Sequence, residues 1–253
     1  MRLAERSVIV TGGGHGLGRA YCRRLAAEGA AVTIAELDPG AAGAVEREVR
    51  AAGGAAIAVP TDVADAASVG QMTRRTVEAF GRIDGLVNNA AVFTTVPMAR
   101  EPLEQLTVAE WDRLMAVNLR GLFLACKAVL PTMRRQRAGK IVNISSGTAL
   151  SGSPTRIHYV TSKAGVLGFT RSLAREVGPD GITVNAIAPG STLSEESPSP
   201  EVVVQRQQRV GSRALARMQL PEDVVGAVVF FLSSDSDFVT GQTLVVDGGA
   251  TMH

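Results

Sequence analysis

The chain has 253 residues, 45% apolar and 20% charged, which suits one large core and excludes a disordered chain. Twenty-six basic against 24 acidic residues leave a net charge of +2, which speaks against an electrostatic nucleic-acid or membrane surface. Two cysteines without framework spacing, three scattered histidines, and neither a leader-like segment nor a membrane-length apolar run predict a cytoplasmic globular protein with reduced thiols and no metal cluster.

The first strand, Ser7–Thr11, runs into TGGGHGLGRAYCRRLAAEGA, a glycine turn that opens a helix to about Glu28. With Gly12, Gly16 and Gly18 in that turn, a pyrophosphate can lie against backbone N–H groups at the helix N-terminus, where the dipole favours negative charge. Strand before and helix after are the context that gives such a loop its meaning. The second strand, Ala31–Ala35, ends on Glu36-Leu37-Asp38. An acid there accepts hydrogen bonds from adenosine ribose hydroxyls and repels a 2′-phosphate, or else only solvates a strand end. His15 stands where an arginine or lysine would hold that phosphate and is mostly neutral at pH 7. Glu36 and His15 together favour NAD over NADP.

A helix over about 40–52 and a strand Ala56–Pro60 lead to Thr61-Asp62-Val63. Asp62 is placed to bond an adenine amino group or to cap the helix starting near Ala66. Strand Gly85–Val87 delivers Asn88-Asn89-Ala90-Ala91, amides and small residues that fit close packing on a ligand or a turn. Repeated strand–helix–strand units predict an α/β fold, a doubly wound parallel sheet of about seven strands with helices on both faces. In such sheets ligands bind beyond the carboxyl ends of the strands, where these motifs all fall.

The middle helix opens on Thr107-Val108-Ala109-Glu110, of capping-box form, and continues to about Met133 with Trp111 in its packing face. Asn118 is polar among Met115, Val117, Leu119 and Leu122, so it serves either as a structural bond to a neighbouring strand or as part of a water chain. Next, Ile141–Lys163 reads as a strand, the serine pair Ser145-Ser146, a loop, and a helix carrying Tyr159 and Lys163 on one face. The chain has only two tyrosines and three lysines, and this spacing uses one of each. A phenol beside a cation works as a proton donor and acceptor. Its unperturbed pKa near 10 lies about three units above neutrality. That gap of roughly 4 kcal/mol is what one cation about 4 Å away supplies at an effective dielectric near 20.

After strand Thr183–Ala188, residues 191–213 are the most polar, Pro/Ser-rich interval and suit a lid or a surface loop. Leu150, Pro154, Ile157, Phe93 and Leu193 would form an apolar pocket. Arg156 would bind a polar group or face water, and His158 is expected to be a hydrogen-bonded bystander. The end comprises a helix with Pro221, Glu222 and Asp223 at its start, strand Thr243–Val246, and a tail to His253.

Thr11–Gly18 as TGxxxGxG, Asn88–Ala90 as NNA, Asn118, Ser146, Tyr159 with Lys163, and Pro189-Gly190, in this order and spacing, resemble the short-chain dehydrogenase/reductase family over nearly the whole chain. The resemblance implies one Rossmann-type domain over 1–253 and a homotetramer in which the last helix and strand form one face and the tail reaches a neighbour. It implies Tyr159 as acid/base, Lys163 holding the nicotinamide ribose and lowering the phenol pKa, Ser146 bonding the reacting oxygen, and Asn118 anchoring a proton-relay water. Gly12, His15, Gly16, Leu17, Gly18, Glu36, Leu37, Asp62, Val63, Asn89, Ala90, Pro189, Gly190 and Thr192 would line the NAD groove along with Tyr159 and Lys163. Ala91 replaces the glycine that often follows NNA, and Thr192 stands where isoleucine or valine is usual. The overall pattern is similar to NAD-dependent members acting on secondary or ring-bearing alcohols. The expected partner is thus a small alcohol or ketone, with no nucleic acid or membrane. The competing readings are a 3-oxoacyl-carrier-protein reductase, which predicts NADPH and a basic docking patch, and a non-catalytic NAD sensor or scaffold.

Overall fold

The computed structural model describes residues 1–93 and 96–252; Thr94, Thr95 and the terminal His253 lie outside the described residues. Its strands are β1 (Ser7–Thr11), β2 (Ala31–Glu36), β3 (Ala56–Pro60), β4 (Gly85–Asn88), β5 (Gly139–Ile144), β6 (Ile182–Pro189) and β7 (Thr243–Val246). They form one parallel sheet in the order β3-β2-β1-β4-β5-β6-β7. The order reverses between β1 and β4, which makes the crevice beyond those two strands the topological switch point.

Period-2 alternation sends neighbouring strand residues to opposite layers. Val8 and Val10 of β1 face one core with Ile34, Val142 and Ile187, packed by α1 (Gly16–Ala27), α2 (Pro39–Ala51) and α9 (Glu222–Leu232). Ile9 faces the other with Leu86, Ile141 and Val184, packed by α3 (Ala66–Phe80), α5 (Gly121–Gln136) and α7 (Ile157–Val177). Tyr21, the tyrosine not singled out by spacing, is wholly buried in the first core. Both cysteines are free and buried.

Several expectations change. The middle helix is α4 (Val108–Met115) joined to α5 through a π-helical turn, Ala116–Arg120. Together they give a 29-residue helical run, Val108–Gln136, within which an 18-residue window has a mean hydropathy of 1.4, long and apolar enough by those measures to cross a bilayer. In the fold, Ala125, Cys126, Val129 and Met133 on this run face the second core. Thr107 caps α4 by accepting from the Glu110 N–H at 3.2 Å, but Glu110 turns to Arg113 and leaves the box half made. Asp65, not Asp62, caps α3, accepting from the N–H groups of Ala67 and Ser68. The lid interval contains two further helical pieces, α8 (Pro200–Gln208) and a 3-10 turn Val210–Ser212; α6 (Thr148–Ser151) completes the helices.

Candidate active site

The carboxyl end of β1 enters the glycine loop under tight constraint. The Thr11 hydroxyl accepts from the N–H groups of Asn89 (3.0 Å) and Ala90 (3.2 Å), and the Asn89 amide donates to the carbonyls of Thr11 (3.1 Å) and Gly12 (2.9 Å). Asn89 therefore clamps the loop with its side chain. Gly12 has φ +63°, and a methyl there would meet the Ala90 backbone at 2.9 Å; one on Gly18 would run into the Gly12 carbonyl and the Asn89 amide. The Glu36 carboxylate closes the other side, accepting from Gly14 N–H (3.0 Å) and Leu37 N–H (2.8 Å).

Helix α2 is capped by Asp38, α3 by Asp65 and α4 by Thr107, whereas α1 starts at His15 with no side-chain cap and no acid in its first turn. The first-turn N–H groups of Gly16, Leu17 and Gly18 have no intrahelical partner by geometry. That donor set, together with the close approach the glycines allow, fits the pyrophosphate of a dinucleotide.

The remaining expected groove residues lie at the same sheet edge. Leu37 is exposed, Val63 is buried against Gly121, and exposed Asp62 accepts from Ala64 N–H at 2.8 Å. After β6 the Pro189 carbonyl accepts from Gly147 N–H (2.9 Å), and Gly190 N–H donates to Val246 (2.9 Å). Thr192 is buried and turns its hydroxyl to the Gly190 carbonyl at 3.2 Å, so the polar replacement is satisfied within its own turn.

The two serines of the pair are placed differently. Ser145 is buried with its hydroxyl donating to the Lys163 carbonyl at 2.7 Å, while Ser146 is only partly buried and its hydroxyl lies 3.0 Å from that of Thr148. Helix α7 presents Tyr159, buried and stacked on Phe93 with ring centroids 5.1 Å apart. Lys163 Nζ lies 5.9 Å from the Tyr159 ring centre and donates to the Ile144 carbonyl at 2.8 Å.

Asn118 sits in the π turn, a helix irregularity frequent at functional sites. Its side chain accepts from Val92 N–H (2.8 Å) and donates to Ser162 (3.3 Å), the structural bonds its buried position demanded. It also borders a cavity of about 10 Å³ together with Thr11, Asn88, Ile144 and Lys163, room for about one water.

Charge is expensive at this depth. Burial holds the Lys163 ammonium down at about 8. Burial raises the Tyr159 phenol, and the Ser146 hydroxyl and the Arg156 and Arg206 guanidiniums only partly offset it. With the protein groups alone, the net shift of the phenol is upward. Desolvation penalises both charged forms, and Nζ donates to the Ile144 carbonyl.

The substrate side differs more. Pro154 and Ile157 line a 350 Å³ cavity with Leu103 and Val160, whereas Phe93, Leu150 and Leu193 are not among the described residues that border it. His158 is fully buried, and neither ring nitrogen has a hydrogen-bond partner among the described residues. It is neither water-facing nor a hydrogen-bonded bystander. The lid interval packs over the glycine loop: a methyl on Gly16 would meet the Ser194 carbonyl at 3.2 Å, and Arg19 of α1 pairs with Glu196 at 2.6 Å.

One network escaped the sequence reading. Asn88 donates to Asn143 (2.9 Å) and Asn143 to Thr170 (2.9 Å), tying β4, β5 and α7 together beneath the site. The signal was present as a polar residue, Asn143, between apolar neighbours in β5.

Comparison with known proteins agrees with this geometry. A family model described as "Enoyl-(Acyl carrier protein) reductase" matches residues 12–251. The chain is 39% identical over 254 residues to a 3-oxoacyl-(acyl-carrier-protein) reductase of Synechocystis sp., covering 99% of this chain and 98% of the relative. It is 40% identical over 256 residues to the short-chain reductase protein NovJ of Streptomyces niveus, covering 97% and 94%. The crystal structure of levodione reductase superposes with TM-score 0.89 at 35% identity, covering 98% of both chains. The chain belongs to the short-chain dehydrogenase/reductase family, and is an oxidoreductase built to work with a nicotinamide cofactor.

Proposed function

We propose that this oxidoreductase transfers a hydride between NAD(H) and a secondary alcohol or its ketone, ring-bearing ones included. The observation that carries the reading is the gathering of Ser146, Tyr159 and Lys163 beyond the carboxyl end of β5, beside the Asn118 cavity. When bound, the nicotinamide ring accepts or returns the hydride. In oxidation Tyr159 takes the hydroxyl proton, and in reduction it gives the proton back. Ser146 donates to the oxygen on which charge develops. Lys163 holds the nicotinamide ribose, and Asn118 anchors the water that passes the proton onward.

Glu36 supports NAD, because its carboxylate ends β2 and would repel a 2′-phosphate there. Gly12, His15, Gly16, Leu17, Gly18, Leu37, Asp62, Val63, Asn89, Ala90, Pro189, Gly190 and Thr192 line the rest of the groove, and residues 191–213 act as the substrate lid of a single domain. Fully exposed Phe238 and 40% exposed Leu244 beside α9 and β7 support a homotetramer face there. Buried free thiols suit a cytoplasmic location.

The name of the Synechocystis relative favours a second reading, reduction of a 3-oxoacyl thioester with NADPH. A screen of alcohols and ketones with NAD(H) and NADP(H), following absorbance of the reduced nicotinamide, separates the two. The expected result is an NAD(H) preference of at least about tenfold, roughly 1.4 kcal/mol. An NADPH preference would overturn the role given to Glu36. Binding of NAD without turnover of any alcohol or ketone would turn the reading toward a sensor.

A further inference from the structure

The geometry points to an anion-binding subsite at the mouth of this active site, where Arg156 holds a carboxylate or phosphate carried by the alcohol or ketone that reacts. The inference rests on the preceding reading and names its substrate class. Arg156 is the residue immediately before α7, three positions ahead of Tyr159. Side chains so spaced at a helix start lie about 5–6 Å apart at Cβ, so a guanidinium there reaches a group only a few bonds from the reacting carbon.

Its setting is unusual for an arginine. Arg156 is partly buried, yet it makes no ion pair or side-chain hydrogen bond among the described residues. By contrast, Arg206 has Glu195 at 2.7 Å and Ser191 at 3.1 Å, and its Nε remains buried without a partner. Arg213, 8% exposed, donates only to the carbonyls of Arg217 and Ser191. The charges that Arg156 feels are Arg100, Arg206 and Arg209, which repel it, and the Tyr159 phenol. Glu101 lines the neighbouring cavity without pairing with it.

A desolvated guanidinium among like charges is costly unless an anion completes it. The planar fork matches a carboxylate or phosphate by two parallel hydrogen bonds. The residue immediately before Arg156, the β-branched Thr155, has φ +60°, in the left-handed region.

The test compares ketones offered as free acid and as methyl ester, 4-oxopentanoate and its ester first, and as phosphate and free alcohol, dihydroxyacetone phosphate and dihydroxyacetone. Wild-type protein is expected to favour one anionic series over its neutral partners by about tenfold to a hundredfold in kcat/KM, the range of one charged hydrogen-bonded contact. Which series responds identifies the anion. In Arg156→Gln that ratio falls to about one, and Arg156→Lys retains part of it. Equal rates for charged and neutral partners in the wild type, or an unchanged ratio in Arg156→Gln, would overturn the subsite. A second readout does not need turnover: in the presence of NAD the anionic probes raise Tm by about 3 °C or more at saturation, and their neutral partners do not. Loss of that selectivity in Arg156→Gln supports the subsite, and its absence from wild type overturns it. If no ketone or alcohol is turned over, the oxidoreductase reading fails while the Tm comparison still decides the anion site.

Discussion

The two sides of the site are built to opposite rules. On the cofactor side the chain satisfies itself: Glu36 holds Gly14, Asn89 holds Thr11 and Gly12, and Asn88, Asn143 and Thr170 join two strands to a helix. On the substrate side Thr155 is in a left-handed conformation, His158 has no partner among the described residues, and Arg156 has no acid. Groups already bonded to the chain give rigidity, whereas groups left open are where a small molecule has something to add. The difference explains how one scaffold keeps its cofactor geometry while its substrate varies.

The largest expected break comes at the point where the two sides meet. Tyr159→Phe removes the hydroxyl proposed to exchange the substrate proton and should lower kcat by about 10²–10⁴. Dinucleotide binding, followed by calorimetry, should remain near wild type; full activity in this variant would sink the mechanism. Next comes the over-determined side. Gly18→Ala drives a methyl into the Gly12 carbonyl and the Asn89 amide, and should destabilise by at least about 1–3 kcal/mol with weaker cofactor binding. An unchanged Tm and Kd would mean that the glycine loop is looser than its bonds imply.

His158 tests the open side through pH. Burial holds its imidazole below the ordinary 6.5, with Glu110 opposing and Arg113 adding to the shift. The unfolded chain therefore binds a proton before the folded one does as pH falls, so stability is complete above about 6.5 and is lost below it. His158→Leu should abolish that acid sensitivity between pH 7.5 and 5.5, and should cost little or even stabilise at neutral pH because two unpartnered ring nitrogens disappear. A Tm–pH profile identical to wild type would show that the imidazole titrates normally. The smallest effect belongs to the lid latch. Glu196 is half-exposed in its pair with Arg19, so Glu196→Gln should change stability by less than about 1 kcal/mol. A larger loss in thermal unfolding would make the lid part of the rigid side.

Most of the cofactor side was legible in the chain. Its signals are local: glycines between a strand and a helix, an acid at the next strand's end, and a tyrosine and lysine one helical turn apart, each fixed by spacing along a single element. Strand limits for β1, β3 and β7 followed from apolar runs bounded by turn residues. Ser146 over Ser145 is a choice the sequence offers, and the fold is consistent with it in that the Ser145 hydroxyl is taken by the Lys163 carbonyl.

What the tertiary structure alone decided depends on burial and on distant partners. That Asn143 belongs to a buried relay, that His158 is sealed away from water, and that Arg156 lies in the field of Arg100, Arg206 and Arg209 all depend on residues far apart in the chain. The acidity of Tyr159 is of the same kind. Sequence spacing determined that a cation stands near the phenol, but only packing determined how much water both have lost, and desolvation outweighs that one charge.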